Sequence, residues 1–370
     1  MECIEQPLIE YQNQLERACE ALPCPIDRTC FFDIETTGLS AKISSLYLLG
    51  AAFIEEGTWK IRQWFADDYT SETDILTAFS MFLTRFNTVA HYNGSTFDIP
   101  YLEKKYQAHK LASPFASKES LDLYRKFPHK KNAMITRSGK TFPLSDKKLT
   151  TMERLLGFHR HDNYSGKDCI GLYTDFMQKK YFRDDRAETL KAKLLLHNHD
   201  DLIGTILCSQ LLGYDSYRPE QPHGRTEDDA LLLTDKLTPP VPFSLSYEHK
   251  GVSVSFEKDL LTLRIPLFHG MLYHYFEDYK NYYYLPDEDM AVHKSVGVYV
   301  EPAYREKATA TNCYIKKTGI FLPLPPDMKT DQPTFRETRR SSTTYLPWTD
   351  QSSLSEEECR NYMTHLMNKS

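Results

Sequence analysis

The ten residues FFDIETTGLS, positions 31–40, constrain this chain more than any other segment. The stretch 28–34 reads as a short, mostly apolar strand that runs straight into acidic residues. Side chains alternate across a strand, so Asp33 and Glu35, two apart, project from one face of the sheet. Carboxylates held that way repel each other, and a divalent cation such as Mg²⁺ relieves the repulsion while taking oxygen ligands. Thr36, Thr37 and Gly38 then leave the strand sharply and keep the sheet edge open. A solvated acid pair at a strand end is the other reading of acid-x-acid, but the full D-I-E-T-T-G-L string is much rarer than the pair.

Two later segments carry acids on elements that fit beside such a strand. In AHYNGSTFDIPYLEKKY a short strand enters the polar turn Asn93-Gly94-Ser95, and Asp98 follows just before a helix over 99–109. Asp98 reads either as the N-cap of that helix or as a third metal ligand, and the two roles are compatible because a cap sits where the chain is open. In LLLHNHDDLIGTILCSQLL, a helical stretch, His197 and Asp201 are four apart and share one face. Asp201 there completes a metal site, with His197 above the bound water. The alternative is a polar helix surface opposite Leu196, Ile203 and Leu207, and His199 and Asp200 compete for the inward position.

The surrounding pattern is α/β. Residues 28–65 read as a three-stranded meander, 71–86 as a helix, 88–92 as a strand, and 148–212 as mostly helical, which fits a layered domain ending near Leu212. We therefore expect an N-terminal helical extension over 1–27, the α/β domain over 28–212 and a linker over 213–230. A small β-rich domain over 231–325 follows, with strands at 243–247, 252–256, 260–265, 296–300 and 314–315. Residues 326–370 read as a polar tail ending in a short helix, capped by Ser355-x-x-Glu358. The eight cysteines are scattered without a CxxC pair, the N-terminus lacks a signal-peptide pattern, and no apolar run approaches ~20 residues. These features point to a cytoplasmic protein that does not enter membranes.

The string D-I-E-T-T-G, then N-G-x-x-F-D-x-P, then H-N-x-x-D resembles the DEDD superfamily of 3′–5′ exonucleases, and more closely the YprB-like predicted exonucleases with a ribonuclease-H-like domain. The likeness covers roughly residues 28–212, including SLDLYRKF (120–127) and LTTMERLLGF (149–158). It implies a ribonuclease-H-like mixed sheet flanked by helices, with the β-rich domain following. It also implies that Asp33, Glu35, Asp98 and Asp201 bind two divalent ions, Mg²⁺ or Mn²⁺, and that His197 is the general base. One departure stands out. The His-type branch usually sets its histidine five residues before the last aspartate and the Tyr-type branch a tyrosine four before; here a histidine holds the four-residue spacing.

The substrate such a resemblance implies is nucleic acid, with single-stranded DNA or RNA ends favoured. Net charge is −6, so any contact must use a local basic surface. Between Arg125 and Lys148 lie eight basic residues against the single acid Asp146, and Lys130, Lys131, Lys147 and Lys148 are the candidate phosphate contacts, with Thr36 and Asn93 at the cleft. Phe127 and Phe142 in that run are either base-stacking residues or buried anchors. An internally cutting ribonuclease-H-like enzyme and a nucleic-acid-binding module with a weak site are the competing functional readings.

Overall fold

The computed structural model describes residues 1–127, 133–215, 217–326, 328–349 and 351–367. It divides into two units, Met1–Tyr217 with Thr238–Ser244, and Arg218–Leu237 with Leu245–Ser370. The first unit is built on a six-stranded sheet of β1 (Glu2–Pro7), β2 (Thr29–Thr36), β3 (Leu46–Glu55), β4 (Thr58–Phe65), β5 (Thr88–His91) and β6 (Glu119–Asp122). Their spatial order is β1-β4-β3-β2-β5-β6. The β2-β3-β4 meander is antiparallel, whereas β5 runs parallel to both β2 and β6. This is a ribonuclease-H-like mixed sheet, as the sequence predicts.

Helices α1 (Gln12–Ala18), α2 (Glu72–Leu83), α3 (Asp98–Ala108), α4 (Leu123–Lys126), α5 (Leu149–Leu156), α6 (Gly166–Tyr181) and α7 (Arg186–Leu207) complete this unit, with a hairpin of β7 (Met134–Arg137) and β8 (Lys140–Pro143). β3 is the sheet's apolar spine, buried from Leu46 to Phe53, as expected for a strand covered on both faces. On one face Phe32 of β2 meets Phe79 of α2 and Phe115, at ring-centroid distances of 5.7 and 5.8 Å. The alternate residues Asp33 and Glu35 therefore point to the other face, where α7 lies.

α7 has 22 residues, a span of ~33 Å, and it approaches the sheet unusually closely at one point. A Cβ on Gly50 would stand 2.0 Å from Asn198 Oδ1 and 2.7 Å from Leu202 Cδ1. Asn198 is fully buried there, accepting from Gln63 Nε2 of β4 at 2.9 Å and donating to Asp33 Oδ2 of β2 at 3.0 Å. One amide thus ties the helix to two strands.

The second unit contains an antiparallel array of β9 (His223–Glu227), β10 (Ala230–Lys236), β11 (Ser244–His249), β12 (Val252–Glu257) and β13 (Leu260–Pro266), in the order β11-β12-β13-β10-β9. Leu231, Leu233, Val252, Val254, Phe256, Leu261, Leu263 and Ile265 are buried at alternate positions, the period-two pattern of half-buried strands. Downstream come β14 (Phe268–Tyr275), β15 (Tyr282–Leu285), β16 (Met290–His293), α8 (Lys294–Gly297), β17 (Glu306–Lys307), β18 (Tyr314–Pro323), β19 (Tyr345–Trp348) and α9 (Glu356–Met367). They form two three-stranded sheets, β14-β18-β19 and β16-β15-β17, and α9 lies against β9.

Several expectations shift. The segment expected to be a helical extension opens with β1, an added edge strand paired with β4, and only then turns helical. The expected linker contains β9, whose partner β10 supplies the hydrogen bonds that its own polar sequence does not advertise. Residues 296–300 are not a strand: Lys294–Gly297 is a helical turn capped by the His293 side chain, with Val296, Val298 and Tyr299 exposed. The polar tail supplies β19, and its final helix has the Ser355–Glu358 capping pair.

Because Gly50 clears the space for Asn198, Gly50→Ala is expected to lower the unfolding free energy by roughly 1–3 kcal/mol through overpacking. Gly171→Ala, in α6 with open space around it, should instead be neutral or stabilising by up to ~1 kcal/mol. Urea denaturation of the two variants checks both signs.

Candidate metal centre

β2 delivers the first two acids. Asp33 sits opposite Gly50 and Glu35 opposite Leu48, and the register shifts between Glu35 and Thr36, where the strand leaves the sheet. Glu35 is buried and Asp33 half-buried. Tyr47 Oη donates weakly to Glu35 Oε2, at 3.4 Å.

The turn after β5 delivers the third. Asn93 adopts the left-handed conformation, φ 63°, and its carboxamide oxygen accepts from Thr96 Oγ1 at 2.8 Å. The buried Asp122 carboxylate at the end of β6 accepts from the amides of Asn93, Ser95 and Tyr124 and so holds the turn. A Cβ on Gly94 would stand 2.7 Å from the His91 ring, so this position demands glycine. Asp98 then opens α3, buried, without the side-chain cap bond that its N-cap reading predicts. Its carboxylate is hydrogen-bonded by the backbone at Asp98 itself and at Ile34 of β2.

α7 delivers the rest, and a loop clamps it. Arg160 Nη1 donates to Asp201 Oδ1 at 2.6 Å and to Glu153 Oε1 of α5 at 3.1 Å, while Nη2 donates to Asp162 Oδ2 at 2.9 Å. Asp162 is buried and receives His197 Nδ1 at 3.0 and 3.2 Å on its two oxygens. The other nitrogen of His197, Nε2, lies 3.5 Å from Glu35 Oε1 and 3.5 Å from Asp201 Oδ2. Ligand atoms of Glu35, His197 and Asp201 all fall within 4.8 Å of one another. Asp200 does not compete for the site: its fully buried carboxylate accepts from the His161 amide at 2.6 Å and the Asp162 amide at 3.2 Å. His199 stands against Asp200 and Tyr11. A cavity of about 350 Å³, lined in part by Glu153, Arg160 and Asp162, opens on the clamp side.

Electrostatics mark these groups out. Burial holds the Asp33 carboxyl well above its usual range, and the charges of Asp201, Asp98 and Glu35 add to the rise while His197 opposes it. Burial pushes Glu35 up to about 8 against the pull of His197, with Asp201 and Asp98 reinforcing it. Asp98 is pushed up to about 7 by burial, which its backbone hydrogen bonds only partly offset. His197 moves as the partner of these acids: burial disfavours its charged form, but a Cys169 hydrogen bond and the charges of Asp201 and Glu35 prevail and raise it to about 11. Burial also pushes Asp162 up, yet hydrogen bonds from His197 and Arg160 outweigh it and keep that carboxyl below the ordinary range. Mutually destabilised, oxygen-rich acids beside an imidazole are a donor set that suits divalent cations.

Of the expected site residues, Glu35, His197 and Asp201 come together directly, and Asp33 and Asp98 are coupled to them by charge. The expected nucleic-acid contacts are less uniform. Thr36 is buried, with Oγ1 donating to the Gly38 carbonyl at 2.9 Å. Lys147 is buried, its ammonium 3.0 Å from the Phe127 carbonyl and 4.3 Å from the Tyr124 ring centroid, so it anchors a loop instead of meeting phosphate. Phe127 is likewise an anchor, against Tyr214 and Phe243. Lys148 and Phe142 are exposed, and Lys130 and Lys131 lie outside the described residues. Sequence reasoning missed Asn198, Arg160, Asp162, Glu153 and Asp122. For Arg160 and Asp162 the local signal was charge density in HRHD, which reads equally well as a solvated loop, whereas Asn198, Asp122 and Glu153 stood inside the quoted motifs without an assigned role.

Residues 30–212 match the family model of the RNase H superfamily. No curated protein matches the chain. Similar solved structures include the family B DNA polymerase of the hyperthermophilic archaeon Pyrobaculum calidifontis, at 14% identity and TM-score 0.36, covering 70% of this chain and 35% of that one. Another is E. coli exonuclease I in complex with an oligonucleotide, at 13% identity and TM-score 0.26, covering 56% of this chain and 54% of that one. This chain therefore spans well under two thirds of either structure. Among the described residues, no helix is long and apolar enough to cross a membrane.

Both the raised carboxyls and the raised imidazole bind more protons folded than unfolded. Their contribution to stability is therefore full below about pH 4 and is lost as pH rises through about 7 to 8 for the acids and further up for His197. Divalent cations compete with those protons. The increase in melting temperature on adding Mn²⁺ to EDTA-treated protein should grow from pH 6 to pH 8. A flat or shrinking increment contradicts this account of the site.

Proposed function

We propose that the chain is a metal-dependent 3′–5′ exonuclease hydrolysing phosphodiester bonds at single-stranded nucleic-acid ends. The observation that carries this reading is the convergence of Asp33 and Glu35 from β2, Asp98 from α3 and Asp201 from α7 in one electrostatically coupled group. The RNase H superfamily match over 30–212 supports nuclease chemistry on this sheet, and the resemblance to the DEDD superfamily supports attack from the 3′ end.

Asp33, Glu35, Asp98 and Asp201 would hold two divalent ions, Mg²⁺ or Mn²⁺. Such a pair, when bound, steadies the attacking and leaving oxygens of an in-line displacement at phosphorus. The chain's own contribution is preorganisation. Asn198 fixes the rotamer of Asp33, backbone hydrogen bonds fix Asp98, and Arg160 holds Oδ1 of Asp201 so that Oδ2 faces Glu35 and His197. Asn93 keeps the turn before Asp98 in shape. Lys148, exposed at the start of α5, is available to a phosphate, as are the exposed Arg125 and Lys140 of the same basic run.

The test is hydrolysis of 5′-labelled single-stranded DNA and RNA in Mn²⁺. A ladder that shortens from the 3′ end is expected, and EDTA should abolish it. Asp33→Asn should lower the rate by more than ~100-fold, beyond the ~10–100-fold typical of losing a group behind a ligand, with circular dichroism unchanged. Internal cuts with no 3′ ladder, or normal turnover by Asp33→Asn, overturn the proposal.

A further inference from the structure

The orientation of His197 assigns it a role other than general base. Its ring is fixed from behind by Asp162, whose oxygens lie 3.0 and 3.2 Å from Nδ1. An ionised carboxylate only accepts, so Nδ1 turns a proton towards Asp162 and Nε2 is the nitrogen left facing the other acids. Arg160 holds the loop and helix together here, its Nη2 donating to Asp162 Oδ2 and to the His197 carbonyl at 2.9 and 3.3 Å and lying 3.3 Å from Nδ1. Nε2 faces Glu35 Oε1 and Asp201 Oδ2, 3.5 Å from each.

A position flanked by one imidazole nitrogen and two carboxylate oxygens attracts positive charge, and a divalent cation binding there displaces any proton on Nε2. The distances suit that arrangement. At 3.5 Å they exceed an ordinary hydrogen bond of about 2.7–3.2 Å. Donors bound at ~2.1 Å to one tetrahedral first-row cation stand about 3.4 Å apart. A carboxylate behind a histidine whose second nitrogen faces other ligands is also the usual support for a metal-bound imidazole.

We infer that His197, through Nε2, is a direct ligand of a divalent cation shared with Glu35 and Asp201, and that Asp162 is the positioning residue for its ring; this rests on the metal-dependent reading above. A nitrogen whose lone pair is committed to a cation does not accept a proton from water, so His197 leaves the proton-acceptor role. One imidazole among carboxylates also sets the preferred cation class. Imidazole favours transition ions, so Mn²⁺ or Co²⁺ should bind this position more tightly than Mg²⁺, which prefers oxygen alone.

Pulsed electron paramagnetic resonance of the full chain loaded with Mn²⁺ reads this directly, because a coordinated nitrogen couples its nuclear spin to the ion. Wild type should show ¹⁴N coupling, and His197→Gln should lose it. Asp162→Asn, which keeps the ring, should retain the coupling while weakening Mn²⁺ affinity by ~10–100-fold in calorimetric titration. Bound Mn²⁺ without nitrogen coupling, coupling that survives in His197→Gln, or Asp162→Asn with unchanged affinity overturns the assignment. Nitrogen coupling in a wild-type protein that hydrolyses no nucleic acid would leave the ligand assignment standing and remove the nuclease reading. Failure to bind Mn²⁺ at all would remove both.

Discussion

The docking of α7 on the sheet is the interaction on which the first unit depends, and it rests on one buried amide. Asn198 accepts from Gln63 of β4 and donates to Asp33 of β2, while Gly50 of β3 leaves the space between. A buried amide with its partners in place is stabilising, and one left unsatisfied is expensive, so the helix has one low-energy seat. That seat fixes the neighbouring positions at the same time. His197 precedes Asn198 and Asp201 follows one turn later, so the contact that docks the helix also aims both of them at Glu35. Stability and site geometry are coupled at this point, and a change that shifts the helix to relieve strain would also misalign His197 and Asp201 with Glu35.

Charge is the second constraint. Asp33, Glu35, Asp98, Glu153, Asp162 and Asp201 gather around Arg160 and His197, an excess of acids in a region with little solvent. The fold divides them into two kinds. Asp162 and Asp201 are given to Arg160, a guanidinium that matches carboxylate geometry and stays charged. Asp33, Glu35 and Asp98 have no such cation, and their carboxyls rise accordingly. Glu153 belongs with the clamp, but burial outweighs Arg160 and pushes it up to about 7. Such a distribution favours added positive charge, because burying an ion without a partner otherwise costs several kcal/mol.

How much of this was legible in the sequence depended on range. The β2-β3-β4 meander, α2 and α3 announce themselves by period because their partners are near in sequence, and Asp33 and Glu35 are visible as a pair on one strand face. Asp98 and Asp201 were found by spacing and by the turn or helix carrying them. What escaped was long-range. Nothing in HRHDN distinguishes a solvated loop from a clamp on α7, and the Asn198–Asp33 bond joins residues 165 apart. β1 was hidden because an edge strand needs only half its hydrogen bonds and little apolar surface, and its pairing with β4 is visible only in space. Conversely, Lys147 and Phe127 looked available because a basic run reads as surface, whereas the loop folds both inward.

The four-residue spacing of His197 and Asp201 acquires a physical meaning in this geometry. At about 100° per residue, positions four apart on a helix differ by about 40°, whereas positions five apart differ by about 140°. A histidine five residues before Asp201 would leave the face that Asp201 presents. At four residues, His197 and Asp201 are stacked on one face, and Glu35 meets both from the sheet. Asp162 meets the ring from the opposite side, at Nδ1. The spacing and the clamp are therefore a single arrangement, which turns one imidazole nitrogen towards Asp162 and the other towards Glu35 and Asp201.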